Sequence, residues 1–178
     1  DQFECLPLGY LREGKNSLLA ADIIIFSKVE AIPTQNELLI KEKISPYVLE
    51  NVTFGRISFK PAFFKNLKTN RLEDISLLQG KDVLACCGVA KPEIFQKDLS
   101  KLSLKVTSLL AFSDHHTFTN SDYQKINKLS PGKVIVCTEK DAVKLDLGNI
   151  REPIYSLINK VEFLEGEDKI KVKINSLF

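Results

Sequence analysis

An α/β fold, with a mostly parallel sheet and helices on both faces, is predicted by three observations. Four short apolar runs rich in β-branched residues, Asp22 to Ser27, Val83 to Cys87, Val106 to Phe112 and Lys133 to Cys137, each end in polar or glycine punctuation. The first, second and fourth are nearly continuous in apolar character, as in strands covered on both faces. Helical periodicity lies between the runs, and strand alternating with helix is the pattern of a doubly wound sheet.

In chain order, "LPLGYLREGKNSLL" is a glycine-containing loop running into an exposed, charged helix start, and Asp22 to Ser27 is the first strand. The stretch from about Asn51 to Gly80 is less regular. "VTFGRISFKPAFF" alternates like an antiparallel strand, and "KNLKTNRLEDISLLQG" is a polar loop with a short apolar end, so the whole reads as an excursion from the α/β core. After the second strand, Pro92 opens a helix with Phe95, Leu99 and Leu102 at i, i+4, i+7. After the third, Thr119 and Asp122 stand at capping-box spacing ahead of Tyr123, Ile126 and Leu129. After the fourth, Thr138 and Asp141 cap a start ahead of Ala142, Val143 and Leu145. The final "SLINKVEFLEGEDKIKVKINSLF" holds two alternating runs joined by "EGED", which predicts a C-terminal β-hairpin.

With 178 residues, 44% of them hydrophobic, the chain is long enough for one sizeable core, and residues 1–178 are expected to form a single α/β domain. Twenty-five basic against 23 acidic residues leave a formal net charge of +2, too small a field to argue for nucleic acid, and no nucleic-acid partner is expected. Cys5, Cys86, Cys87 and Cys137 lack CxxC or zinc-finger spacing and read as reduced core thiols of a cytosolic protein. No apolar run approaches the ~20 residues of a membrane span. The opening "DQFECLPLGY" has neither a basic region nor a secretory apolar core, and Met occurs nowhere, so the chain is read as a fragment or a trimmed chain.

Ligands of open parallel sheets bind beyond the carboxyl ends of the strands. Four unusual stretches fall there: "SKVE", "GVAKPE", "SDHH" and "TEKDA". Gly88 in "GVAKPE" is a lone glycine and reads as a turn, since neither GxGxxG nor GxxxxGKS/T occurs anywhere in the chain. Capping alone explains Thr138 and Asp141, leaving Glu139 and Lys140 as first-turn residues. "SDHH" contains the only two histidines, His115 and His116, directly behind Asp114. A histidine at a strand end, oriented by a carboxylate, suits general-base work, although the same residues also suit a solvated turn. Adjacent histidines diverge and have no HxxxH partner, so metal ligation is the weaker reading. In the N-terminal loop, Arg12 offers a planar fork of donors for phosphate beside Glu13 and Lys15.

Four ordered blocks over Leu6 to Leu145 resemble one family. "LPLGYLREGKNSLLAADIIIFSKVE", "CCGVAKPEIF", "LLAFSDHHTFT" and "VIVCTEKDAVKL" are similar to the blocks of the tetraacyldisaccharide 4'-kinases, the lipid A 4'-kinases of Gram-negative bacteria. The resemblance implies the C-terminal portion of a P-loop-like kinase that uses ATP and Mg2+, both held mainly by an N-terminal half preceding Asp1. It implies the lipid substrate tetraacyldisaccharide 1-phosphate, and peripheral contact with the cytoplasmic face of the inner membrane through that same N-terminal region. His115 would help deprotonate the sugar 4'-hydroxyl with Asp114 orienting it, and His116 is the second candidate for that role. Arg12 and Glu13 would lie near the phosphates or metal, with no metal held by this chain. Lys140 and Asp141 would only shape the site. The family's "LREP" appears here as "LREG", with Gly14 loosening the loop. Two other classes fit parts of the pattern: a DHH-type metal-dependent phosphoesterase, which would need a DxD that does not occur, and a non-catalytic α/β binding domain.

Overall fold

The computed structural model describes residues 4–6, 11–27 and 34–178. Pro7 to Tyr10 of the first block, and "SKVE" beyond Ser27, lie outside the described residues. The chain divides into two compact units, residues 1–60 with 161–178 and residues 61–160. Two long strands, β2 (Thr53–Asn66) and β7 (Ile154–Glu165), contribute residues to both.

In the first unit, β1 (Ile23–Ser27) pairs in parallel with the start of β2, Ile23 opposite Thr53 and Ser27 opposite Ile57. Phe26 and Phe54 stack across this pair with centroids 6.0 Å apart. Helix α1 (Thr34–Ile44) buries an acid: Glu37 is 8% exposed and pairs with Lys41 and with Arg56 Nε, each at 3.0 Å.

The expected C-terminal hairpin is not formed. β7 ends at Gly166, which takes φ +84, and residues Glu167–Asn175 form helix α5. Glu167 and Asp168 occupy the first turn, where carboxylates complement the exposed N–H groups, and Lys171 pairs with Glu167 one turn away at 2.7 Å. Ile170 is 3% exposed and covers Gly55 so closely that a Cβ there would have to displace the end of its side chain. The run "KIKVKI" does alternate, but its Ile170 and Ile174 are also four apart, and helical spacing prevails.

In the second unit β4 (Asp82–Cys87) lies between two parallel neighbours, β5 (Lys105–Ala111) and β6 (Val134–Thr138), and β6 in turn pairs in parallel with β7. Successive β4 residues serve opposite faces. Val83 and Ala85 join Val136, Leu99 and Leu104 in one core; Leu84 and Cys86 join Ile135, Cys137, Tyr123 and Ile126 in the other. Helix α2 (Pro92–Lys101) thus covers the first face through Leu99, and α3 (Asn120–Leu129) the second through Tyr123 and Ile126. The predicted mostly parallel, doubly covered sheet is the observed one. The middle segment is less of an excursion than expected: β2 is parallel to β1 at its start and antiparallel to the short β3 (Leu72–Glu73) at its end, where fully buried Phe64 joins the first core. Among the described residues no helix is long and apolar enough to cross a membrane.

Candidate functional site

The carboxyl ends of β4, β5 and β6 carry the "GVAKPE", "SDHH" and "TEKDA" stretches side by side, because these strands are adjacent and parallel. Phe112 N–H donates to Cys87 O at 2.8 Å, and His116 N–H to Ser113 O at 3.1 Å, which closes a tight turn with Asp114 and His115 at its corner. His115 takes φ +61, a left-handed conformation that histidine tolerates better than most residues but that still costs energy.

The two histidines are held differently. The His116 ring stacks on Phe112, with centroids 4.7 Å apart, and meets the Phe118 ring at 90°. Its Nε2 lies 3.0 Å from Asp122 Oδ2, and since a carboxylate only accepts, Nε2 must carry the proton and donate it. The same oxygen accepts from Thr119 Oγ1 at 2.7 Å and Thr119 N–H at 2.9 Å, the predicted capping box. These bonds, Thr119 first and His116 next, hold the Asp122 carboxyl well below the usual carboxylate range. The His115 side chain, by contrast, is 82% exposed, and its Nε2 stands 3.9 Å from Asp114 Oδ2, beyond hydrogen-bond reach. Asp114 reaches His115 through the backbone, accepting its N–H at 3.0 Å. Lys140 Nζ also donates to Asp114, and this bond is the main reason its carboxyl titrates below the ordinary value.

Beneath the turns lie neutral thiols. Burial pushes Cys86 up to about 12 and Cys87 up to about 11, and raises Cys137 as well, with neighbouring thiols and Asp141 adding to the effect. Such thiols pack and do not act as nucleophiles. Cys5 departs from the core reading, being exposed. Among the described residues no three His, Cys, Asp or Glu side chains converge as a metal-binding group.

Arg12 and Glu13 are exposed in the first unit, ahead of a 3₁₀ turn at Lys15–Ala20. Gly14 sits at φ −63, a value proline also adopts, so glycine there changes the freedom of the unfolded chain more than the path of this loop. Asp122 and its bond to His116 escaped the sequence reading because the capping box already explained the residue. The available signal was a carboxylate six positions after the histidine, at the helix start that the histidine turn feeds.

Residues 2–177 match the family described as tetraacyldisaccharide-1-P 4'-kinase. The chain belongs to that family. Curated tetraacyldisaccharide 4'-kinases are similar to it: that of Halothermothrix orenii is 31% identical over 170 residues, covering 89% of this chain and 44% of the relative. That of Parabacteroides distasonis is 35% identical over 153 residues, covering 81% and 41%. The chain therefore spans about half the length of the curated relatives it matches. Among solved structures, the "apo" form of LpxK from Aquifex aeolicus in complex with ATP superposes with a TM-score of 0.72 at 23% identity, covering 99% of this chain and 49% of that one. That likeness carries the fold, a mostly parallel α/β sheet with helices on both faces.

Proposed function

We propose that this chain is the hydroxyl-activating portion of an ATP-dependent kinase, one that phosphorylates the 4'-hydroxyl of tetraacyldisaccharide 1-phosphate in lipid A biosynthesis. Its two units act as one part of that larger enzyme. One observation carries the reading: His115 offers an exposed imidazole on a strained turn whose other members are tied down. Strain of this kind persists where the surroundings fix it, and it gathers at working sites.

Phosphoryl transfer asks the protein mainly to position groups and stabilise charge. In the proposed step the 4'-oxygen bonds to the γ-phosphorus of ATP as the bond to the bridging oxygen breaks, ADP leaves with the electron pair, and His115 takes the hydroxyl proton. Asp114, clamped by Lys140, fixes the His115 backbone. His116 is bound to Asp122 and stacked on Phe112, and it builds the turn. Mg2+ and the ATP phosphates are assigned chiefly to the half of the relatives that this chain does not cover, with Arg12 and Glu13 close to them. The same reading puts the enzyme at the cytoplasmic face of the inner membrane, in peripheral contact with lipid.

The test is kcat with thermal midpoint, in the complete enzyme, for His115→Ala and His116→Ala. The first should lose on the order of 10²-fold in kcat at nearly unchanged midpoint. The second should lose mainly stability. A larger kcat defect in folded His116→Ala, or near-normal kcat in His115→Ala, would overturn the assignment.

A further inference from the structure

We propose that Asp141 is a positioning residue for the histidine turn, acting through Gly88. Its consequence for turnover rests on the His115 reading above; its geometry does not.

Asp141 begins as a helix cap. Thr138 Oγ1 donates to its Oδ2 at 2.6 Å, and Asp141 N–H returns a bond to Thr138 Oγ1 at 3.2 Å, at the start of the short α4 (Glu139–Ala142). Capping does not account for the rest. The same Oδ2 accepts the Gly88 N–H at 2.9 Å, from a residue 53 positions away. Asp141 is 0% exposed, and its Oδ1 is buried with no hydrogen-bond partner. Leaving a carboxylate oxygen in that state is costly. Asp74 and Asp146 cap 3₁₀ turns of this chain from exposed positions, so capping here does not require a buried acid.

Gly88 explains the burial. A Cβ at this position would lie 3.1 Å from Asp141 Oδ1, 3.1 Å from Ser113 O and 3.6 Å from His116 Cβ. The φ of Gly88 is not in the left-handed region, so what favours glycine there is space and not conformation. The space beside Gly88 is thus bounded by the Asp141 carboxylate on one side and by the turn that ends at His116 on the other. Ser113 O, which would stand 3.1 Å from a Cβ on Gly88, is also the acceptor that closes this turn. A close-packed interior transmits a shift of Gly88 to its neighbours. The Asp141 carboxylate, bonded to the Gly88 N–H, therefore sets the height of the floor on which Asp114 and His115 stand.

Two histidines in the whole chain make the imidazole NMR spectrum simple to read. The experiment compares wild type, Asp141→Ala, Asp141→Asn and Gly88→Ala. It measures His115 and His116 ring shifts and His116 amide exchange in this chain, and kcat and KM in the complete enzyme. Asp141→Ala should move both ring signals and speed His116 amide exchange on the order of 10-fold, with the Ile135 and Val136 amides unchanged. Asp141→Asn still accepts from Gly88 and Thr138 and should stay within about threefold of wild type. Gly88→Ala should disturb the same signals from the opposite side. In the complete enzyme, kcat should fall on the order of 10-fold for Asp141→Ala with KM for ATP unchanged, and Asp141→Asn should restore it. Wild-type turn signals in folded Asp141→Ala, or losses that simply follow the protection of β4 and β6, would overturn the proposal. If Asp141→Ala does not fold, wild-type turn signals in Gly88→Ala overturn it equally. A turn that responds as expected, in an enzyme without lipid kinase activity, would overturn the kinase reading and leave the positioning role standing.

Discussion

Asp122 carries two duties with one oxygen. It closes the capping box of α3 and accepts the His116 Nε2–H, so the strand-to-helix turn and the helix start are fastened at a single point. Its pH dependence follows from the direction of its shift. The folded-state carboxyl is held below its unfolded value of about 3.9, so its contribution is fully present above that value and is lost as pH falls through the folded one. Denaturant unfolding followed from neutral pH to well below the unfolded carboxylate value of about 3.9 should therefore show a steeper acid loss in wild type than in Asp122→Asn. At neutral pH Asp122→Asn should already be less stable by roughly 1.5–3 kcal/mol, the usual value of hydrogen bonds to a charged acceptor. Parallel acid slopes for the two proteins would remove Asp122 from this role.

Among the elements, those bounded by caps and long apolar periods were legible. The Pro92 start of α2, the Thr119–Asp122 box of α3 and the continuous runs of β4 and β6 all formed where their residues pointed. Helix α1 gave no such signal: Leu38 and Leu39 are 56% and 53% exposed, and its buried side chains among the described residues are the acid Glu37 and the terminal Ile44, so it has no apolar stripe to find. At the site, the sequence brought out Asp114, His115 and His116 as a cluster, but it did not show that Asp122 binds one histidine or that Lys140 binds Asp114, because such pairings depend on which strand ends are neighbours. The C-terminal hairpin failed for a local reason. Its alternating run fits two periods, and Gly166 in the left-handed region ends the strand before a partner can form. Gly166→Ala would place a Cβ against Phe54 O in addition to straining φ, whereas Gly80, at φ +70, faces open space. Gly80→Ala should thus lose about 1 kcal/mol, the left-handed cost alone, and Gly166→Ala clearly more, up to about 3 kcal/mol. Urea midpoints of the two variants make the comparison, and equal losses would deny the Phe54 contact any weight.

On the scale of the whole chain, the core is unevenly divided. The second unit holds both hydrophobic clusters, with Val83, Leu84, Ala85, Cys86 and Cys87 all at 0% exposure along one strand. In the first unit, Ile44 and Ile170 are the buried apolar side chains among the described residues, supported by the Glu37, Lys41 and Arg56 ion pairs. Burial of apolar surface is the dominant favourable contribution to folding, whereas ion pairs at partly exposed positions add little. Local opening should accordingly be graded between the units. The candidate site stands on the strand ends of the unit that holds both hydrophobic clusters, as a group that must hold a strained histidine requires. Native-state amide hydrogen exchange should find β4 and β6 the slowest segments, and β1 and α1 faster on the order of 10-fold or more at neutral pH. Protection of β1 equal to that of β4 would show that the two units open together, and that the few buried side chains of the first unit understate its stability.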